Sequence, residues 1–409
     1  MAPTSTAPRP RTTDRAARSP VVERLSVLAI TLGIFSIVTT EILPIGLLTS
    51  IGSAFSVSDG MAGLMMTMPG FLAALAAPLV TAATTRIDRR ALLGAFMALL
   101  ALANGLAAVA PNYGLILLSR VLVGVTIGGF WSIAAGLADR LVPAQQVGRA
   151  VSVIFAAVPL GSVLGVPVGT FLGDVAGWRA AFAVLGVLSV GVLVLLLAVV
   201  PPLPPVGPAT RLRVLGGLFG SVHIRFALLM TLLVVLAHFG AYTYVTPFLE
   251  QVTHAGPGLV TVLLLVYGAA GIVGNFLGGS LVARRPRTGF GAAAALLAGA
   301  TLLLPVLGGS NVGAVALLFV WGVAYGAVPV SSQTWFAKAA PGAPEAASVL
   351  FTASFQATIS LGALVGGSVV DRTSPSAVMT LAAVTAGLAV LTALCHFARG
   401  LTWPGGNRA

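Results

Sequence analysis

Nine of the ten carboxylates in this chain fall in tails, loops or the ends of apolar stretches, and only Glu41 lies well inside one. An ionised carboxylate in a hydrocarbon environment costs at least ~2.5–3.5 kcal/mol unless it is paired or protonated, so a carboxylate kept there is suited to binding and releasing a proton. Arg120, the one basic residue inside an apolar stretch, is its candidate counter-charge. A static ion pair, or a Glu41 that reaches to the nearer surface, are the plainer alternatives. His238, also mid-stretch, has an ordinary pKa near neutrality and would suit proton exchange, although a lone histidine among apolar residues also serves as a hydrogen-bonded packing element. A small-molecule site needs aromatic side chains and a few hydrogen-bonding groups. Trp131, Tyr242, Tyr244, Asn275, Tyr325 and Gln356 supply them, with Asn104 a weaker addition. The remaining histidines show no ligand spacing, so no metal or other cofactor is expected, and no catalytic constellation points to an enzyme.

The elements that must position these groups follow from composition. Of 409 residues, 57% are hydrophobic and 8% charged, with a mean hydropathy of +1.03. A soluble domain carries about 25% charged residues to face water, so this is an integral membrane protein. Its single cysteine, Cys395, excludes an internal disulfide. Its single lysine, Lys338, sits in "FAKAA" and not in the Gly-Lys-Ser/Thr of a phosphate-binding loop, so no ATP-driven motor is encoded.

About 20 apolar residues cross a bilayer. Twelve such stretches occur, at roughly 25–48, 60–82, 91–110, 114–137, 148–172, 178–200, 224–248, 257–282, 290–308, 312–336, 346–370 and 376–398. The expected organisation is a disordered tail (1–24), a six-helix bundle (25–200), a Pro-rich linker (201–223), a second bundle (224–398) and a short tail (399–409). With both termini cytoplasmic, all the basic residues except Arg120, Arg179 and Arg372 fall on the cytoplasmic side. The net charge of +12 is thus a topology signal and not a nucleic-acid surface. A multi-pass protein of a bacterial inner membrane is expected. On this reading Glu41 and Arg120 lie about 10 and 9 Å below the outer surface, at one level.

The chain repeats itself. Arg86 and Arg89 recur as Arg284 and Arg287, and Gly124 and Gly128 as Gly322 and Gly326, at an offset of 198; Gly165, Gly169 and Asp174 recur as Gly362, Gly366 and Asp371 at 197. Two related halves with a substrate site between them are the architecture of a secondary transporter. Within "PLGSVLGVPVGTFLGDVAGWR", Gly161, Gly165, Gly169 and Gly173 form an i, i+4 stripe with Pro159 and Pro167 between its turns. Small residues at that spacing let helices approach closely in lipid. The stripe fits a tightly packed, kinked helix, or a smooth seam along which the halves slide.

That stripe resembles the fifth-helix antiporter motif of the major facilitator superfamily, in its drug:proton antiporter branch. The loop "TTRIDRR" resembles the superfamily's helix 2–3 motif through Arg86, Arg89 and Arg90, with Thr85 where the motif carries Asp and Asp88 where it carries Gly. Arg120 and Gly124 match an "RxxxG" motif in helix 4, with Val123 in place of Gln. Stretches such as "TEILPIGLL", "GGFW", "GWR" and "VPVSSQTW" are most similar to bacterial purine ribonucleoside efflux proteins and their sugar-efflux relatives. The resemblance implies an all-α fold of twelve helices in two pseudo-symmetric bundles, working as a monomer. It implies proton-coupled efflux by alternating access of a purine nucleoside- or sugar-like solute, with a multidrug or phenicol exporter as the alternative. It also implies an acid on helix 1 and an arginine on helix 4 that carry the proton, and a conformational role for Arg86, Asp88, Arg89, Arg90, Gly161, Gly165, Pro167 and Gly169.

Overall fold

A computed structural model describes residues 19–84, 86–134, 137–204, 216–284 and 286–398. Residues 1–18 of the expected first tail, the whole of the last tail and 205–215 of the linker lie outside the described residues, while 20–24, expected to be disordered, are helical. Among the described residues every regular element is helical, and twelve helical spans are long and apolar enough to cross a membrane. They are α1 (Pro20–Gly46), α2 (Asp59–Val80), α3 (Arg89–Ala108), α4 (Tyr113–Ile133), α5 (Ala144–Ala176), α6 (Trp178–Val199), α7 (Val222–Tyr242), α8 (Pro257–Gly278), α9 (Thr288–Leu307), α10 (Asn311–Ala339), α11 (Ala346–Arg372) and α12 (Pro375–Cys395). All twelve expected stretches are helices. The first starts five residues early, because Ser19 accepts a hydrogen bond from the Val21 amide and Pro20 occupies the first helical position, which needs no N–H donor.

Two pseudo-symmetric bundles of six helices result. In the first, α1 packs on α5, α2 on α4 and α3 on α6; in the second, α7 packs on α11, α8 on α10 and α9 on α12. The repeated glycines explain the correspondence. A Cβ at Gly124 would lie 2.5 Å from the Pro69 carbonyl oxygen of α2, and Gly322 abuts the Tyr267 carbonyl of α8 in the same way. Between the halves, α2 packs on α11 and α5 on α8, again a symmetric pair.

The stripe on α5 does not lie between the halves. Gly161 faces Val38, Gly165 faces Thr39 and Ile42, and Gly169 faces Leu43, all on α1 of the same bundle, and Gly173 faces Leu47 just past its end. The sliding-seam expectation is therefore corrected: the stripe is an internal weld, and Pro167 is buried within it. The small residues between halves are others. Gly60 faces Gly367, Gly63 faces Tyr244, Gly70 faces Gln356 and Ser360, and Gly268 faces Val163.

Hydrogen bonds between the halves gather toward the membrane face opposite the start of α1, here the distal face. Asp371 at the end of α11 accepts from the Ser58 hydroxyl at 2.7 Å and the Gly60 amide at 2.8 Å, capping the start of α2. Thr49 donates to Glu250 at 3.1 Å, Gln251 to Asp59 at 3.4 Å and Thr246 to the Ile45 carbonyl at 2.8 Å. Deeper, Ser360 donates to the Thr67 carbonyl at 2.6 Å. The molecule is closed on that face.

The basic loop is fastened within its own half. Asp88 caps α3 through the Arg90 and Ala91 amides, Arg89 donates to Thr84, and Arg90 donates to the Leu197 carbonyl. The Arg89 amide also meets the Leu203 carbonyl at 2.9 Å, joining this loop to the chain that leaves α6. Arg86 is exposed.

Candidate functional site

Two prolines shape the site. Proline has no N–H, so Pro44 in α1 leaves the Thr40 carbonyl without its helical donor, and Pro69 in α2 leaves the Met65 carbonyl in the same position. Inside a membrane a bare carbonyl must find another donor. Arg120, reaching from α4, supplies both: Nη1 donates to Thr40 O at 2.9 Å and Nε to Met65 O at 2.9 Å. Its third contact, Nη2 to the Glu41 main-chain oxygen at 2.8 Å, completes a guanidinium that is fully buried. Arg120 is thus a staple across α1, α2 and α4.

This corrects the expected pairing. Arg120 and Glu41 do lie together, but the guanidinium binds the backbone of Glu41, and no ion pair forms with its carboxylate. The carboxylate is buried and makes one hydrogen bond among the described residues: Gln356 Nε2 of α11 donates to Oε1 at 3.0 Å. Gln356, expected as a substrate ligand, is the partner of the buried acid from the opposite half. Arg120 remains within electrostatic reach of the carboxylate.

His238 stands 197 residues after Glu41, the same offset that relates α5 to α11, so the two groups are repeat counterparts. It sits in a box of rings. Tyr325 stacks on it with centroids 3.3 Å apart and planes 9° apart, and Tyr242 stacks at 5.0 Å. Tyr267 lies nearly parallel, while Trp321 meets the imidazole edge-on at 78°. The Trp321 indole can only donate, so His238 Nδ1, 3.1 Å away, accepts. The remaining proton of a neutral imidazole then sits on Nε2, facing the Tyr267 hydroxyl at 3.4 Å. A doubly protonated ring would set two N–H groups against each other at Trp321, so this arrangement holds a neutral histidine. Sequence reading missed Tyr267 and Trp321; their signal was the Trp321–Tyr325 i, i+4 spacing on α10. Tyr325 also lies close enough to Glu41 for the two to couple electrostatically, so the box and the acid adjoin.

The other expected ligands divide. Tyr242 and Tyr325 belong to the box. Tyr244 does not: it is fully buried, its hydroxyl donates to the Ala363 carbonyl at 2.7 Å, and it fills the space over Gly63, as a plug in the distal closure. Trp131 packs against Phe155 within the first half and makes no ring contact with Tyr325, eleven residues along α4 from Arg120 and so about 16 Å away. Asn275 is half-buried on α8, one turn beyond Gly271, which faces the Gly322 carbonyl of α10, and among the described residues it has no hydrogen-bond partner. Asn104 donates to the Thr40 hydroxyl at 3.1 Å, with its own carbonyl unmatched.

Residues 30–353 match the family profile described as Major Facilitator Superfamily. The chain belongs to this superfamily. The Transcription regulatory protein OpdE of Pseudomonas aeruginosa is 35% identical over 375 residues, covering 90% of this chain and 93% of OpdE. Two crystal structures of a bacterial homolog to the human lysosomal transporter Spinster share the fold with a TM-score of 0.74 each. One is inward-facing and unoccupied, the other inward-facing and occupied; each matches 95% of this chain and 100% of its own, at 17% and 16% identity. This major facilitator chain is a multi-pass membrane transporter, and its polar interior is the buried acid with the ring box beside it.

Proposed function

We propose that the protein is a proton antiporter that exports a small polar or amphipathic solute, purine nucleoside- or sugar-like, from the cytoplasm of a bacterium by alternating access. Glu41 carries the proton; Tyr242, Tyr325 and Asn275 contact the solute, with Gln356 shared between solute and acid. The observation that carries this reading is the buried Glu41 carboxylate, held by no cation and bonded to the opposite half. Such a group gains a proton without stranding a partner charge, because Arg120 stays occupied by main-chain oxygens. Proton release therefore does not pass through Arg120, and His238, the second candidate, must first give up its bond from Trp321 before it can take the proton. With basic residues inside, both termini are cytoplasmic and the closed distal face is the outer one. The inner-membrane location and action as a monomer belong to the same reading.

The driving force suffices: one proton crossing 100 mV releases about 2.3 kcal/mol, a roughly 50-fold gradient. The name of OpdE fits as well, since a carrier that lowers a cytoplasmic effector alters transcription without touching DNA. A phenicol or multidrug exporter is the competing reading for the same site, because stacked rings hold any planar apolar group.

The test is substrate-elicited proton movement in proteoliposomes carrying an internal pH dye, with nucleosides, pentoses and phenicols each added as the probe. One class should elicit a signal that a protonophore collapses, and Glu41→Gln should abolish it. Uphill transport that survives the protonophore, or Glu41→Gln moving protons at the wild-type rate, would overturn the reading.

A further inference from the structure

An antiporter must reverse its opening when loaded with either partner and must not do so when empty. We propose that the Gln356–Glu41 hydrogen bond is the lock that holds the empty, ionised carrier closed on its distal face and so prevents uncoupled turnover. This rests on the reading of Glu41 as the proton carrier, and it assigns Gln356 a role beyond solute recognition.

The geometry supports it in three ways. The bond crosses from α1 to α11, between residues 315 positions apart, and both side chains are buried. It lies on a seam where the halves approach closely. A Cβ at Gly70 would be 2.5 Å from the Gln356 carbonyl oxygen, and one turn on, Ser360 binds the Thr67 carbonyl. Distal opening must therefore break it. Finally, its strength depends on load. A bond to a carboxylate is about twice as strong as a neutral one. After protonation the Gln356 amide can turn to accept from the new O–H, but only at neutral strength. A solute that takes the amide has the same effect. Either cargo releases the lock; the empty carrier keeps it.

The charged or titratable groups that face Glu41 are Arg120 from α4, fixed on main-chain oxygens, and Tyr325 from α10. The other charged residues of α2, α3, α5 and α6 (Asp59, Arg89, Arg90, Arg149, Asp174 and Arg179) lie at helix ends, away from it.

The experiment needs no solute. The full chain, with Cys395→Ser and spin labels at Ser53 and His254, one on the distal face of each half, is placed in lipid nanodiscs. The label separation is then read at alkaline pH, where Glu41 is ionised. Wild type should be closed. Glu41→Gln should raise the open fraction about tenfold, the difference between charge-assisted and neutral bonds. Gln356→Met should raise it at least as much, and the double variant no further, since the two residues share one bond. Gln356→Glu, which sets two carboxylates together, should open at alkaline pH and close on acidification, a reversal that misfolding cannot produce. Additive effects of the two single variants, or a closed Gln356→Met, overturn the lock. If Gln356→Met stays closed while Glu41→Gln abolishes proton movement, the lock fails and the antiport reading stands. If the variants are non-additive but Glu41→Gln still moves protons normally, the reverse holds.

Discussion

At the scale of single residues, Arg120 shows how a conspicuous charge can be structural. Its three contacts are main-chain oxygens, two of them set free by prolines on other helices. Removing it leaves two buried acceptors unmatched, at about 1–3 kcal/mol each. Arg120→Ala should therefore cost about 2–6 kcal/mol in thermal stability. Arg120→Lys should fall between, because a point ammonium cannot span three carbonyls as a planar guanidinium does. Lysine melting at the wild-type temperature would rule out the staple. Trp321→Phe, which removes the donor to His238 Nδ1, should cost about 1 kcal/mol and free the imidazole tautomer. The shift would be read from the His238 nitrogen resonances. Glu41 was legible in the sequence because a lone acid in an apolar run has few explanations. Its partner was not, since nothing local marks Gln356 as lying opposite residue 41. The Arg120 contacts were legible in principle: a carbonyl four residues before a membrane proline needs a donor from elsewhere, and Pro44 and Pro69 each leave one.

At the scale of helices, the sequence shows spacing but not which neighbour fills it. The i, i+4 glycines of α5 marked a close helix contact, yet α1 and α8 were equally available to supply it. Gly165 settles the matter, with the Thr39 Cα 3.2 Å from where its Cβ would stand. Gly165→Leu should push α1 from α5 at a cost of about 1–3 kcal/mol, typical of overpacking. It should also misplace Glu41, which lies two residues after Thr39. The expected result is a lower melting temperature and lost proton movement, with membrane insertion intact. Wild-type melting would show that α5 has slack against α1. Tyr244 carries the same lesson, because its ring looks like a ligand contact until Gly63 and Ala363 are seen to enclose it.

At the scale of the whole molecule, the twofold repeat was readable in advance and its asymmetry was not. Asp174 and Asp371 are counterparts, yet Asp371 caps α2 while Asp174 is exposed. The distal face also gathers acids, Asp59, Glu250 and Asp371 among them. Glu250 lies there, exposed at its edge, and partial desolvation of its carboxyl holds it above the ordinary glutamate range, against the opposing hydrogen bond from Thr49 and reinforced by the charge of Asp59. A carboxyl whose pKa is raised on closure binds its proton more tightly in the closed state. The closed face therefore gains stability as pH falls through that raised value and carries a penalty above it. Glu250→Gln keeps the bond from Thr49 but removes the charge. It should favour closure a few-fold at neutral pH and flatten its acid dependence, read by cysteine accessibility on the distal loops. An unchanged acid dependence would place the titration on Asp59 instead.

The proline-freed carbonyls of α1 and α2 also set an order of biosynthesis. Both helices leave the ribosome before α4, so during synthesis Thr40 and Met65 hold bare oxygens that only Arg120 will later meet. Arg120 enters the bilayer at low cost only if those two acceptors already wait for it. A nascent chain arrested after α3 should thus remain beside the translocon and be open to proteolysis, whereas one arrested after α4 should become resistant. Arg120→Ala should erase the difference between the two arrest points.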